Sequence, residues 1–185
     1  MKNIILILFL FLGQKCFSQQ GLLPLDAKQQ VLYSDSGKPN KTKDEIFKEA
    51  QNWISKTFGN YQNAVTFEDP ALGKLILTSY ARAASITYDY VRFDMTIECK
   101  DQQYNVQINQ VDGISTLHSP VRLGAKDNDA ILEKQVAVKT EQNKKKRADA
   151  ENALKNAQAD IEGINNAMYK LMSDLKVQLT SSGGQ

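Results

Sequence analysis

The alternation from Val91 to Cys99 constrains this chain more than any other feature. Val91, Phe93, Met95, Ile97 and Cys99 share one side, and Arg92, Asp94, Thr96 and Glu98 share the other. Successive side chains of a strand point to opposite faces, so a period of two with one apolar side predicts a half-buried antiparallel strand, here over about Thr87 to Lys100. The segment that follows tests this. Tyr104, Val106 and Ile108 alternate with Asn105, Gln107 and Asn109. If Asp101-Gln102 is the loop of a hairpin, Cys99 faces Tyr104, Ile97 faces Val106 and Met95 faces Ile108. A slip of one residue would throw every apolar side chain to the wrong face.

Shorter strands are expected at Gln29 to Ser34, through Val31 and Tyr33; at Ala64 to Glu68, through Val65 and Phe67; and at Lys74 to Arg82, through Leu75 and Leu77. The turn residues of Ser36 to Asn40, Asp69-Pro70-Ala71-Leu72-Gly73 and Asp112-Gly113 predict breaks between strands, and Ser119-Pro120 with Gly124 keeps the next stretch irregular. Thr42 and Glu45 have the Thr-x-x-Glu spacing of a capping box, in which each side chain satisfies a free backbone N–H at a helix start. Ile46, Phe47, Ala50, Trp53, Ile54 and Phe58 then follow at helical spacing, with Gly59 placed to end the helix in a left-handed conformation. The predicted helix is Lys43 to Phe58.

From Asp127 the pattern is helical to about Leu179. Leu154, Ala157, Ile161, Ile164, Met168, Leu171 and Leu175 form a seam of alternating three and four spacings, while Lys139 to Asp149 is almost wholly polar. An unbroken helix of that length would reach roughly 80 Å at 1.5 Å per residue, against a domain roughly 35 Å across. The helix must therefore break near the polar stretch or project as an arm, with its C-terminal half packed on the sheet. Gly163 weakens that half by about 1 kcal/mol relative to alanine. The expected fold is α+β: a single antiparallel sheet of about five strands with two helices on one face, in the order β-α-β-β-β-β-α, the last helix being long.

Met1-Lys2-Asn3 followed by the apolar run Ile4 to Leu12 is too short to span a bilayer, which takes roughly 20 residues, and matches a secretory signal peptide. Cys16 and Ser18 supply small side chains for cleavage before Gln19. The organisation expected is a signal over residues 1–18, a sheet domain with the first helix over 19–124, a helical segment packing back on the sheet over 125–180, and a flexible tail over 181–185. This implies a periplasmic or secreted protein with no transmembrane segment in its mature chain. Lys2 and Lys15 are the only charged residues of the signal; without them the 23 basic residues fall to 21, equal to the 21 acidic ones. A neutral chain has no overall field to draw it to nucleic acid. Cys99 is then the single cysteine, so no internal disulfide forms, and its strand position makes it a buried apolar residue.

No set of residues carries a reaction, and no catalytic residue, metal ligand or cofactor site is assigned. His118 is the single histidine and stands in an expected loop beside Ser119-Pro120. Zinc sites draw on several histidines and cysteines, and no Gly-rich phosphate loop is present. Asp94 and Glu98 are roughly 13 Å apart along a strand, beyond the roughly 6.5–9.5 Å of an inverting glycosidase pair. Lys144-Lys145-Lys146-Arg147 lacks interleaved aromatics for base stacking and reads as a solvated helix face.

The segments Thr42-Lys43-Asp44-Glu45-Ile46-Phe47, Gln51 to Phe58, Asp69-Pro70-Ala71-Leu72-Gly73-Lys74 and Met172-Ser173-Asp174-Leu175-Lys176 together resemble a secreted bacterial domain family of unknown function with a TBP-like fold. The resemblance covers about Leu25 to Val111 and the final helix. It implies a fold and no activity, and a shared backbone shape is no argument for DNA binding. The reading that fits is an exported, non-catalytic binding or interaction module. Trp53, Tyr88, Tyr90 and Phe93 are the candidate lining of a cavity between sheet and helices. The partners it would suit are a small apolar ligand or another envelope protein. A self-assembling envelope protein that uses the long helix is the alternative, and a hydrolase of unrecognised type built around His118 is the third reading.

Overall fold

The computed structural model describes residues 21–181. The expected signal peptide, its cleavage point at Ser18-Gln19 and most of the expected tail lie outside the described residues. The elements run β1 (Tyr33–Gly37), α1 (Lys43–Phe58), α2 (Tyr61–Ala64), β2 (Val65–Asp69), β3 (Lys74–Arg82), β4 (Tyr90–Lys100), β5 (Gln103–Ile114), β6 (Val121–Arg122), α3 (Ala125–Thr140) and α4 (Lys144–Thr180). The sheet is antiparallel, in the order β1-β5-β4-β3-β2, with the two-residue β6 paired to β5.

The hairpin at its centre has the register expected: Cys99 opposite Tyr104, Ile97 opposite Val106 and Met95 opposite Ile108. All six side chains are buried. Burial pushes the Cys99 thiol up to about 12, so it stays protonated and inert at neutral pH. Helix α1 has the bounds read from its capping box, and Thr42 and Glu45 each bond the other's backbone N–H. Gly59 ends it at φ 78°. Helices α1 and α4 pack side by side on one face of the sheet, and one core runs from Leu23 to Leu179 through the buried seam Ile161, Ile164, Met168, Leu171 and Leu175.

Three details differ from the sequence reading. The first strand lies later, because residues 26–30 close a turn in which Asp26 accepts from the Lys28 and Gln30 N–H groups; Ser36 and Gly37 then pair with Asn105 and Tyr104 instead of forming a loop. In β2 a register shift between Val65 and Phe67 puts Val65 opposite inward Leu77 and Phe67 opposite outward Ile76, so Phe67 is 43% exposed despite the apolar alternation. Asp112-Gly113 is not a turn. A bulge at Gln110, φ 52°, absorbs one residue, and β5 continues to Ile114 with Asp112 opposite Arg92. The terminal helix breaks within the polar stretch, one of the two outcomes its length required: the break is at Glu141–Asn143, and the Asn143 side chain caps α4 by accepting from the N–H groups of Lys145 and Lys146. Even so, α4 is 37 residues long, roughly 55 Å at 1.5 Å per residue, so its first turns outrun the sheet alongside the end of α3.

Buried asparagines fasten the chain start to this layer. Asn128 on α3 exchanges two hydrogen bonds with the backbone of Leu23, at 2.8 and 2.9 Å. Asn165 on α4 donates to the Leu22 carbonyl and accepts from the Tyr33 hydroxyl. Each amide has a partner, which is the condition for burying it without loss.

Candidate binding surfaces

Trp53 is 5% exposed and Phe93 is fully buried, and Phe58 stacks edge-on against the first and tilted against the second, at 5.6 and 6.2 Å between centroids. These rings fill the space between α1 and the sheet. Tyr88 lies at the other end of β4, half-buried over Gly113; burial raises its phenol above the usual tyrosine value, and the carboxylates of Asp127 and Asp160 add to the shift. Tyr90 is on the opposite face of the sheet, 40% exposed, with the Arg82 guanidinium 5.7 Å from its ring centre. The four therefore do not meet around one space: two are core, one caps the sheet end and one faces solvent.

The face of the sheet away from the helices is where polar side chains converge. Cross-strand pairing sets opposite charges and hydrogen-bonding groups beside one another. Lys74 bridges Glu98 at 3.2 Å, Thr78 donates to Asp94 at 2.7 Å, and Arg92 bridges Asp112 at 2.9 Å. Arg122, brought by β6, donates to the same Asp112 carboxylate, which the two guanidinium groups almost cover. Asp94 and Glu98 thus serve different partners. Toward the β1 edge the side chains shorten to Ser34, Ser36, Thr96, Asn105 and Gln107, leaving with Glu98 a hollow of about 430 Å³. Toward the β2 edge Phe67 and Tyr80 stand 43% and 56% exposed, and Tyr90 is on the same face.

A second hollow, of about 280 Å³, opens where the β5 bulge, the turn before β1 and the start of α3 meet. Sequence reasoning missed it, because it depends on three segments distant in the chain and on a bulge that leaves no compositional mark. From Ile161 to Leu175 the seam of α4 is taken up by the chain's own sheet and α1. His118 is exposed in the loop between β5 and β6. Among the described residues no group of three or more His, Cys, Asp or Glu side chains has a metal-holding arrangement, and no helix is long and apolar enough to cross a membrane.

Two solved structures share the architecture. A DUF4468 family protein from Bacteroides ovatus aligns with a TM-score of 0.56 at 14% identity, over 88% of this chain and 93% of that one. A TBP-like protein from Parabacteroides distasonis aligns with a TM-score of 0.51 at 17% identity, over 83% and 96%. At such identities the likeness is one of fold. No curated protein matches the sequence. Residues 34–112, from β1 to the Asp112 that holds the two arginines, match the domain of unknown function DUF4468 with TBP-like fold.

Proposed function

We propose that the protein is an exported, non-catalytic binding module that engages a polar partner on the open face of its sheet. The observation that carries this is the composition of that face. Three strands, β1, β5 and β4, present hydroxyl, amide and charged groups around the 430 Å³ hollow, and Phe67, Tyr80 and Tyr90 are exposed farther across the same face. Single exposed aromatic residues are common; three on the same sheet face as a bank of hydrogen-bonding groups suit an extended ligand with both flat and hydroxylated surfaces, such as a glycan chain. A small apolar ligand has less support, since the rings of Trp53 and Phe93 are packed against Phe58. Export rests on the Lys2, Ile4–Leu12 and Ser18 pattern of the first residues.

Nuclear magnetic resonance titration with soluble fragments of envelope polysaccharide tests the binding reading. Shifts confined to Thr96, Glu98, Asn105 and Gln107, lost in Asn105→Ala, are expected. Shifts only on the helical side, or none on the sheet face, sink it. Export is tested separately, by N-terminal sequencing of the protein recovered from the host envelope: a chain starting at Gln19 is expected, and one retaining Met1 refutes it.

A further inference from the structure

We infer that the 280 Å³ hollow beside the β5 bulge is a second binding site, specific for small organic carboxylates. Three observations meet there. The first is the lining: the core residues Val31, Val111 and Leu123 underlie it, Gln29 and Gln110 provide amides, and the charged residues lining it, Arg122 and Lys126, are both cationic. A mixed wall of this kind, with a few convergent polar groups, is the usual make-up of a small-molecule site.

The second is that the surrounding carboxylates are already engaged. Asp127 accepts from the Gly124 N–H at 2.7 Å, and Asp26 accepts from the Lys28 and Gln30 N–H groups at 2.8 and 2.9 Å. Asp112 holds both Arg92 and Arg122, so one negative charge is shared between two guanidinium groups. Arg122 spends Nε and Nη2 on that carboxylate. Among the described residues its Nη1 has no hydrogen-bond partner, and Asp112 fixes the orientation of the guanidinium. A pre-oriented guanidinium is the side chain best suited to a planar carboxylate.

The third is backbone conformation. Three non-glycine residues among those described have positive φ, and two of them, Gln29 at 62° and Gln110 at 52°, line this hollow. Such conformations cost free energy in side-chain-bearing residues and gather at functional sites. Gln102, the third, lies in the β4–β5 hairpin turn.

The site is distinct from the open-face hollow, so its failure would leave the previous reading untouched. The test is a nuclear magnetic resonance titration of the purified protein with propionate, lactate and glucuronate, each against its neutral counterpart (propionamide, lactamide, glucose), with inorganic phosphate as a further arm. At least one carboxylate should shift the amides of Leu123, Gly124 and Lys126 while its counterpart does not. Lys126→Gln should weaken binding about tenfold, the loss of one charge-assisted hydrogen bond. Gly124→Val should abolish binding without unfolding, because a Cβ there meets only the Gln29 carbonyl, at 3.7 Å. The inference is overturned if no carboxylate shifts these amides, if the neutral counterpart or phosphate alone shifts them equally, or if Lys126→Gln binds as the parent does.

Discussion

The two ends of α4 belong to one helix and are held by different physics. From Ile161 onward, every third or fourth side chain is buried against the sheet and α1. From Lys144 to Asn156 most side chains are exposed and the neighbour is α3. The first turn even places Lys144, Lys145, Lys146 and Arg147 at the positive end of the helix dipole, where cations are unfavourable. What holds this end is local: the Asn143 cap and the Arg147–Glu151 pair at spacing four. A helix can therefore run from a region where burial dominates into one where capping, propensity and contact with a neighbouring helix hold it.

The contrast can be broken most directly in the buried half. Leu175→Ala should cost about 2–5 kcal/mol through lost burial and the cavity left behind, read from urea unfolding. The same kind of truncation at half-buried Leu154 should cost well under half as much. Equal losses would mean that the N-terminal half is also core.

Gly163→Ala gives opposite signs under two accounts. Helix propensity alone predicts a gain of about 1 kcal/mol. In the structure an added Cβ would stand 2.3 Å from the Ala84 carbonyl oxygen, so the expected result is a loss of about 1–3 kcal/mol from overpacking. A stabilised Gly163→Ala protein would show that the loop after β3 does not press on α4.

Asp160 sits at the boundary of the two halves and ties that loop down. It accepts from the hydroxyls of Ser85 and Thr87 and from the N–H groups of Ile86 and Thr87. Burial by itself would raise its pKa, but those donors outweigh it and hold the carboxyl below the ordinary aspartate value of 3.8. A depressed folded value means the ionised form is the one stabilised. The contribution is thus complete above the unfolded pKa and is lost as pH falls through the folded one. Asp160→Asn should cost about 1 kcal/mol near neutral pH, allowing for solvent screening. The gap between variant and parent should close as the pH drops below about 4. A gap that persists in acid would mean that amide and carboxyl shape, rather than charge, matters there.

The smallest effect belongs to the exposed half. Lys145→Glu should stabilise the start of α4 by about 0.3–1 kcal/mol by reversing the charge at the dipole's positive end. Slower amide hydrogen exchange over residues 147–152 would show it. An unchanged or faster exchange would mean that the basic run already has a partner.

The strand hairpin and α1 were legible because their signals are local and repeated. Five alternating apolar positions on one strand of the hairpin and three on the other agree on one register, and the capping box marks a helix start within four residues. The same kind of local signal misled at Asp112-Gly113 and at Phe67. A bulge at Gln110 and a register shift after Val65 each move one residue, and neither has a side-chain signature. Both proposed binding surfaces depend on those shifts. The bulge turns Asp112 outward to hold Arg92 and Arg122 and opens the hollow beside Gln110; the shift in β2 sends Phe67 to the open face.

The sequence by itself determined the class of fold, the register of the central hairpin, the bounds of α1 and the burial of Cys99. Periodicity and capping chemistry act between residues close in the chain, and one apolar face leaves a strand a single acceptable orientation. Only the tertiary structure decided where the long helix breaks, why residue 163 is glycine, and which aromatics are core and which are surface. Those outcomes depend on backbone approaches and on cross-strand neighbours far apart in sequence, such as Ala84 against Gly163 and Arg122 against Asp112, and no local pattern encodes such distances.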